Sequence, residues 1–305
     1  MAKVLITGGT GAIGKRLTEI LIEDGHEVVH TSRSPGELKN IPTYQWDVKA
    51  GTMDPKALEG VSSIIHLAGA GIADKPWTDE RRQEIIDSRV ASAELLLNTC
   101  KAQNISLEHF ISASAIGWYP LIVSDRMHNE ESESGDGFLA EVCRLWEASA
   151  DAFQGVAEHI SKIRIGLVLA KDEGALKEIS LPVKYYAAAG LGKGQQYMSW
   201  IHKTDVCRVF KHVLDNQLGG VYNAVGPDPT RNEDFMQILA DVMEKPMFLP
   251  NVPEVVIRLL FGEKADLVLK GVPLSSEKIQ KTGFTFDYPT LNSALMQIYS
   301  DAELK

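Results

Sequence analysis

Over the first 170 residues, short apolar runs alternate with stretches of helical spacing. Lys3–Thr7 is an apolar run. Ala12–Asp24 follows, with Ile13, Leu17, Ile20 and Leu21 at helical intervals, and stops at Gly25. Glu27–Thr31, Thr43–Val48 and Ser62–Leu67 predict strands. Asp79–Ala102 predicts a long helix, polar in its first half, with an apolar stripe through Ala93, Leu96 and Leu97. Leu107–Ser112 predicts a strand, Gly137–Phe153 a helix with Trp146 and Phe153 facing inward, and Ile160–Leu169 another strand. Strands that alternate with helices form βαβ units. The predicted fold class is therefore α/β, a doubly wound, mostly parallel sheet with helices on both faces.

After Ala170 the pattern changes. Ala187–Gly194 is rich in Gly and Ala, Thr204–Asn216 and Asn232–Glu244 are helical, Gly220–Ala224 is strand-like, and Pro246, Pro250 and Pro253 punctuate the chain before further helical segments. The expected division is a nucleotide-binding domain over 1–170, to which 203–224 returns, and a smaller C-terminal α/β substrate-binding portion over 171–202 and 225–305. A cleft between the two parts is the default place for a small-molecule substrate.

Composition narrows the class. The 305 residues are 44% hydrophobic and 24% charged, which excludes disordered, collagen-like and coiled-coil chains. The net charge of −10 argues against nucleic acid or an anionic membrane as partner. No apolar stretch approaches the ~20 residues that span a bilayer. Three scattered cysteines, Cys100, Cys143 and Cys207, fit a reducing compartment, and a cytoplasmic location is expected. Metal binding is not expected, because His26, His30, His66 and His109 lack ligand spacing. The acidic runs at Glu130-Glu131 and 301–303 read as solvated surface.

Gly8-Gly-Thr-Gly11-Ala-Ile-Gly14 joins the first strand to the first helix. In that context the glycines permit a tight turn and close approach to a pyrophosphate, and the helix offers unpaired N–H groups. Gly8, Thr10, Gly11, Ala12, Ile13 and Gly14 are the candidate contacts. The second strand ends in Thr31-Ser32-Arg33, without the carboxylate that would bond the ribose 2′-hydroxyl of NAD. Arg33 can pair with a 2′-phosphate and Ser32 can donate to it, so NADP is the expected cofactor rather than NAD. A solvated surface Arg33 is the alternative. Asp47, at the end of the third strand, is either an adenine contact or a turn cap.

These motifs, with Leu67-Ala68-Gly69 after the fourth strand and Ser112-Ala-Ser114-Ala, resemble the extended short-chain dehydrogenase/reductase superfamily. Ser88-Arg89-Val90, Ser114-Ala-Ile-Gly-Trp-Tyr119, Cys143-x-x-Trp146-Glu147, Ser199-Trp-Ile-His202 and Phe284-x-Phe-x-Tyr-Pro289 are similar to its atypical "epimerase family protein" branch. The resemblance implies a Rossmann-like fold, a nicotinamide cofactor, and a monomer or homodimer. It adds Leu67, Ala68, Gly69, Arg89 and the backbone of Val168 as cofactor contacts, with Glu84 a further candidate. Arg89 has an open alternative, an ion pair with Glu84 or another carboxylate. Pro120 departs from the glycine usual after that tyrosine.

The superfamily's acid/base pair is a Tyr followed four residues later by a Lys, and none of the eight tyrosines here has that Lys. Aligned on the helix after Ser114, the two positions fall on Leu139 and Cys143. One expectation is an enzyme with a different acid/base, for which Ser114, Tyr119, Cys143 and Glu141 are candidates. Tyr119 is either a cleft residue or an aromatic packed beside Trp118, and Cys143 either faces the ribose or is a small buried residue. Asp205 is expected to cap a helix and His202 to be structural. The other expectation is a non-catalytic NADP(H)-binding sensor or scaffold.

Overall fold

The computed structural model describes residues 1–34 and 40–300, so the acidic run at 301–303 lies outside them. In chain order the elements are β1 Lys3–Thr7, α1 Ala12–Glu23, β2 Glu27–Ser32, β3 Thr43–Asp47, β4 Thr52–Met53, β5 Ser63–His66, α2 Asp79–Ala102, β6 Leu107–Ala115, α3 Phe138–Asp151, β7 Ala157–Ile165 and β8 Leu167–Leu169. There follow α4 Gly174–Lys184, β9 Tyr197–Met198, β10 Trp200–His202, α5 Lys203–Asp215, β11 Gly220–Ala224, β12 Thr230–Arg231, α6 Asn232–Val242, α7 Glu254–Phe261, α8 Asp266–Leu269, α9 Glu277–Lys281 and α10 Leu291–Ser300.

Eight strands form one sheet in the order β11-β7-β6-β5-β1-β2-β3-β4. β1 lies parallel to β2 and β5, β2 to β3, and β5 to β6; the short β4 is antiparallel to β3. The order reverses beside β1, the switch point at which an open α/β sheet leaves a crevice at its carboxyl ends. The doubly wound α/β sheet read from the apolar pattern is the fold that forms.

Register sets the core. Leu5 pairs with both Val29 and Ile64, and Ile64 with Phe110. These four line one face and pack with Ala93, Leu96, Leu97 and Cys100 of α2 and with Phe153. Each large side chain removed from water there contributes about 1.5–3 kcal/mol. Phe110 and Phe153 stack with ring centroids 3.6 Å apart. Thr78 starts α2 by accepting from the Arg81 N–H at 3.2 Å, Asp79 and Glu80 follow in its first turn, and Lys101 lies in its last.

The chain divides into two compact units, Met1–Ala115 with Glu141–Arg164 and Cys207–Tyr222, and Ile116–Ala140 with Ile165–Val206 and Asn223–Lys305. Residues 116–140 thus belong to the second unit, although the apolar pattern marks no boundary on either side of them. In the second unit, Leu169, Leu176, Trp200, Phe235, Leu239, Leu291 and Leu295 form a core of their own.

One predicted strand, Ile160–Leu169, is two. It breaks at Gly166, whose N–H donates to the Ala224 carbonyl at 3.0 Å. A Cβ at that position would lie 2.4 Å from the Ser199 carbonyl oxygen, so only glycine lets the backbones approach. β8 then pairs with β10, Val168 against Ile201. Among the described residues, no helix is long and apolar enough to cross a membrane.

Candidate functional site

The turn after β1 is built by glycines with separate tasks. Gly8 takes φ of +71°, and a Cβ on it would meet the Leu67–Ala68 backbone at 3.0–3.1 Å. A Cβ on Gly9 would lie 2.6 Å from the His30 ring, and one on Gly14 would lie 2.4 Å from the Gly8 carbonyl oxygen. The turn closes through the Gly11 N–H to the Gly8 carbonyl at 3.0 Å. α1 starts at Gly11 with no side-chain cap and no acidic residue in its first turn. Its leading N–H groups therefore face outward with the positive end of the helix dipole, beside exposed Thr10 and half-buried Ala12 and Ile13.

Two buried histidines brace this turn. Thr18 donates to the Gly14 carbonyl at 2.7 Å, so its oxygen accepts from His30 Nε2 at 2.8 Å. Thr7 Oγ1 accepts from the Leu67 and Ala68 N–H groups at 3.2 and 3.1 Å, so its hydroxyl donates to His66 Nδ1 at 2.7 Å. That leaves the His66 proton on Nε2, towards Ser92 Oγ at 3.1 Å and the Arg89 carbonyl at 3.4 Å. Burial lowers both imidazoles to about 4, so they are neutral near pH 7.

At the ends of β2 and β3, Ser32 is half-buried and Arg33 exposed. Ser32 Oγ accepts from the Ser34 N–H at 3.2 Å. Asp47 folds back on its own turn, its Oδ1 accepting from the Lys49 and Ala50 N–H groups at 2.9 and 3.0 Å.

Arg89 lies on α2 beneath Gly69, where a Cβ would come 2.9 Å from its Cζ. The guanidinium is buried 4.6 Å from the centre of the Trp146 ring. It donates to the Ile85 carbonyl at 2.9 Å and to Ser88 Oγ at 3.3 Å, while Nε is buried without a partner. Burial lowers its pKa to about 10, which still leaves it cationic at neutral pH. The alternative ion pair with Glu84 does not form: exposed Glu84 is held by Arg81 at 2.7 Å. A buried cation with no carboxylate against it is costly unless a ligand supplies an acceptor.

Leu139, Cys143 and Glu147 recur every four residues and share one face of α3. Cys143 is buried, donates weakly to the Ala115 carbonyl at 3.5 Å, and is pushed up to about 11 by burial, so it is a thiol and not a thiolate. Ser114 is buried and donates to Glu147 Oε1 at 2.8 Å. Arg164 grips the same carboxylate twice, Nε to Oε1 at 2.8 Å and a terminal nitrogen to Oε2 at 3.0 Å. Ser114, Glu147 and Arg164 thus form a buried polar network. In the sequence Glu147 stands only as the end of the Cys143-x-x-Trp146-Glu147 motif, with no role assigned to it or to Arg164. The available signal was a charge on the inward face of α3 and a complementary charge in the apolar run of β7.

In the second unit, Tyr119 is the packed aromatic and not an open cleft residue. It is buried against Val225, Val272 and Leu274 with half-buried Trp118, and its hydroxyl donates to Asn223 Oδ1 at 2.6 Å. Glu130 is no solvated ornament, since it accepts from the Asn223 N–H at 2.8 Å. Asp205 accepts from the Asp287 and Tyr288 N–H groups at 2.9 and 3.0 Å, tying α5 to the C-terminal segment. His202 contacts Gln297 at 2.9 Å.

The fold also gathers Asp24, His26 and Asp215, whose ligand-type atoms lie within 4.8 Å of one another. Sequence spacing gave no hint of this. The Lys211 ammonium already bridges the two carboxylates, at 2.8 and 2.5 Å, so the cluster reads as an ion-pair knot.

Comparison with known proteins accounts for this arrangement. The profile of the NAD dependent epimerase/dehydratase family matches residues 4–137, and a domain of unknown function (DUF1731) matches 252–298. The chain is 31% identical to the epimerase family protein YfhF of Bacillus subtilis, over 98% of each chain. It is 33% identical to the epimerase family protein SAR0825 of Staphylococcus aureus, over 98% of this chain and 100% of that one. The human epimerase family protein SDR39U1 (isoform 2), solved with NADPH, superposes with a TM-score of 0.86 at 27% identity, covering 98% of this chain and 99% of the other. MoeE5, solved with UDP-glucuronic acid and NAD, shares the fold at 19% identity and a TM-score of 0.78, over 98% of this chain and 99% of that one. Over nearly its whole length the chain belongs to the epimerase family proteins, with residues 4–137 matching the NAD dependent epimerase/dehydratase family.

Proposed function

We propose that this protein binds NADP(H) at the glycine turn and acts as an oxidoreductase or epimerase-like enzyme on a small molecule, without the usual Tyr-x-x-x-Lys pair. The observation that carries the reading is the buried Arg89 guanidinium, which has no carboxylate partner among the described residues and lies beneath Gly69, in the segment whose Leu67–Ala68 backbone packs against Gly8 of the glycine turn. The residues fit a dinucleotide. Gly8 to Gly14 would take the pyrophosphate, Ser32 and Arg33 the 2′-phosphate, and Leu67 to Gly69 and Arg89 the rest; Glu84 and Asp47 are lesser candidates. NADP is favoured over NAD because β2 ends without a carboxylate. The NADPH bound by SDR39U1 supports the same choice.

When bound, the nicotinamide supplies or accepts a hydride. Ser114 then presents its oxygen lone pairs to the substrate, because its proton is committed to Glu147. Glu147, fixed by Arg164, is a positioning residue. Cys143 shapes the pocket as a neutral thiol and does not act as a nucleophile.

A second reading has its own support. Ser114, Tyr119 and Cys143 are all buried, with their protons donated inside the fold. A chain in that state could hold NADP(H) as a sensor or scaffold without turnover. The two readings separate in one assay, in which the purified protein is mixed with NADPH and a panel of carbonyl compounds and nucleotide sugars and absorbance is followed. Loss of NADPH absorbance or an epimerised product with at least one compound is expected. Tight binding with neither, across the panel, would establish the sensor instead.

A further inference from the structure

Trp146 lies on α3 and is buried. Packing alone does not account for a tryptophan there. Its Nε1 is buried, and none of the described residues accepts from it. A buried indole ordinarily finds an acceptor for that N–H, and leaving it bare costs free energy. Leucine or phenylalanine would fill apolar space without that penalty. What tryptophan adds is the ring face that attracts a cation most strongly.

That face is occupied. The Arg89 guanidinium carbon sits over it, 4.6 Å from the ring centroid. One terminal nitrogen, Nη1, donates to the Ile85 carbonyl at 2.9 Å and to Ser88 Oγ at 3.3 Å, both on the same helix as Arg89. Nε and Nη2 have no partner among the described residues. Gly69 leaves room for the group, since a Cβ on it would come 2.9 Å from Cζ and displace the guanidinium.

The choice of neighbour has a chemical consequence. A carboxylate steadies a guanidinium by taking its in-plane N–H groups, often two at once. An aromatic ring steadies it through the flat face and leaves those N–H groups unspent. The contact gains strength here because both partners are out of water.

We infer that Trp146 is a positioning residue for the nucleotide, its ring holding Arg89 in place so that Nε and Nη2 stay open to acceptor oxygens of the cofactor. The inference rests on the assignment of Arg89 to the cofactor. Without the ring, a buried cation with no counter-charge turns towards water, and a nucleotide must draw it back at a cost in affinity.

Calorimetry with NADPH tests this on the full chain carrying tryptophan analogues at position 146 with one, two and three ring fluorines. Fluorine withdraws electron density from the ring face while nearly keeping its shape. Affinity for NADPH should fall with each fluorine, while the urea midpoint stays close to that of the wild type. Trp146→Leu should weaken NADPH by about tenfold, and Trp146→Phe should recover part of the loss. In an Arg89→Met background, Trp146→Leu should leave the remaining affinity unchanged, because the ring then has no cation to hold. Equal affinity across the fluorinated series would overturn the inference and leave the cofactor assignment standing. So would the same loss from Trp146→Leu with and without Arg89, which would mean that the ring acts through packing. A wild-type chain that takes up no nucleotide would overturn the assignment of Arg89 and this inference with it.

Discussion

Burial decides what individual side chains in the first unit can do. Arg89 remains a cation because even a pKa lowered to about 10 lies well above neutrality. The histidines remain neutral because theirs lie well below it. His30, His66 and His109 are each lowered by burial from 6.5 to about 4. Ser161 donates to the Leu218 carbonyl and so accepts from His109 Nε2, which leaves Nδ1 bare and buried, as it is in His30. Protonating either ring would place an N–H where nothing accepts it. The folded state therefore binds fewer protons than the unfolded state between about pH 6.5 and 4. Stability should be level above that window and fall as pH drops through it, by up to about 1.4 kcal/mol per pH unit for each ring. Urea unfolding at several pH values measures the slope. The three changes His30→Gln, His66→Gln and His109→Gln together should flatten it, and a slope they leave unaltered would show that these rings are not its source.

Among the elements, the glycine turn and β2 depend on each other. Gly9 has no side chain because the His30 ring fills the space where a Cβ would stand. Thr18 of α1 then holds that ring at 2.8 Å, so strand, turn and helix lock through one imidazole. Gly9→Ala should cost about 1–3 kcal/mol, as overpacking of a filled site does. In a His30→Ala background the same change should be close to neutral, and melting temperatures around the four-member cycle measure the coupling. Additive effects would mean that the two residues do not share the space. Apolar spacing made most of these elements legible. The apolar runs of β1, β2 and β5 are buried on both faces as central parallel strands require, and the stripe through Ala93, Leu96 and Leu97 buries as its spacing implies. The break at Gly166 was illegible, because it depends on carbonyls from Ser199 and Ala224 far along the chain.

Across the whole molecule, the same distinction separates the parts of the candidate site that sequence exposed from those it concealed. Gly8 to Gly14 and Thr31-Ser32-Arg33 are contiguous motifs, each set by local backbone geometry or by the end of one strand. Ser114, Glu147 and Arg164 come from three elements, and only folding shows that one carboxylate holds the other two. The same holds for Asp24, His26 and Asp215, and for Tyr119 with Asn223, 104 residues apart. A missing Tyr-Lys pair was visible as an absence. The buried polar network of Ser114, Glu147 and Arg164 was not, since hydrogen-bond partners leave no periodic signature.

Isothermal calorimetry on nucleotide-stripped protein tests the central claim most directly. The wild-type chain should take up about one equivalent of NADPH and bind it more tightly than NADH, and Arg33→Ala should weaken NADPH by about tenfold or more while leaving NADH little changed. No heat of binding with either nucleotide would contradict the account, and equal losses for both in Arg33→Ala would contradict the choice of NADP.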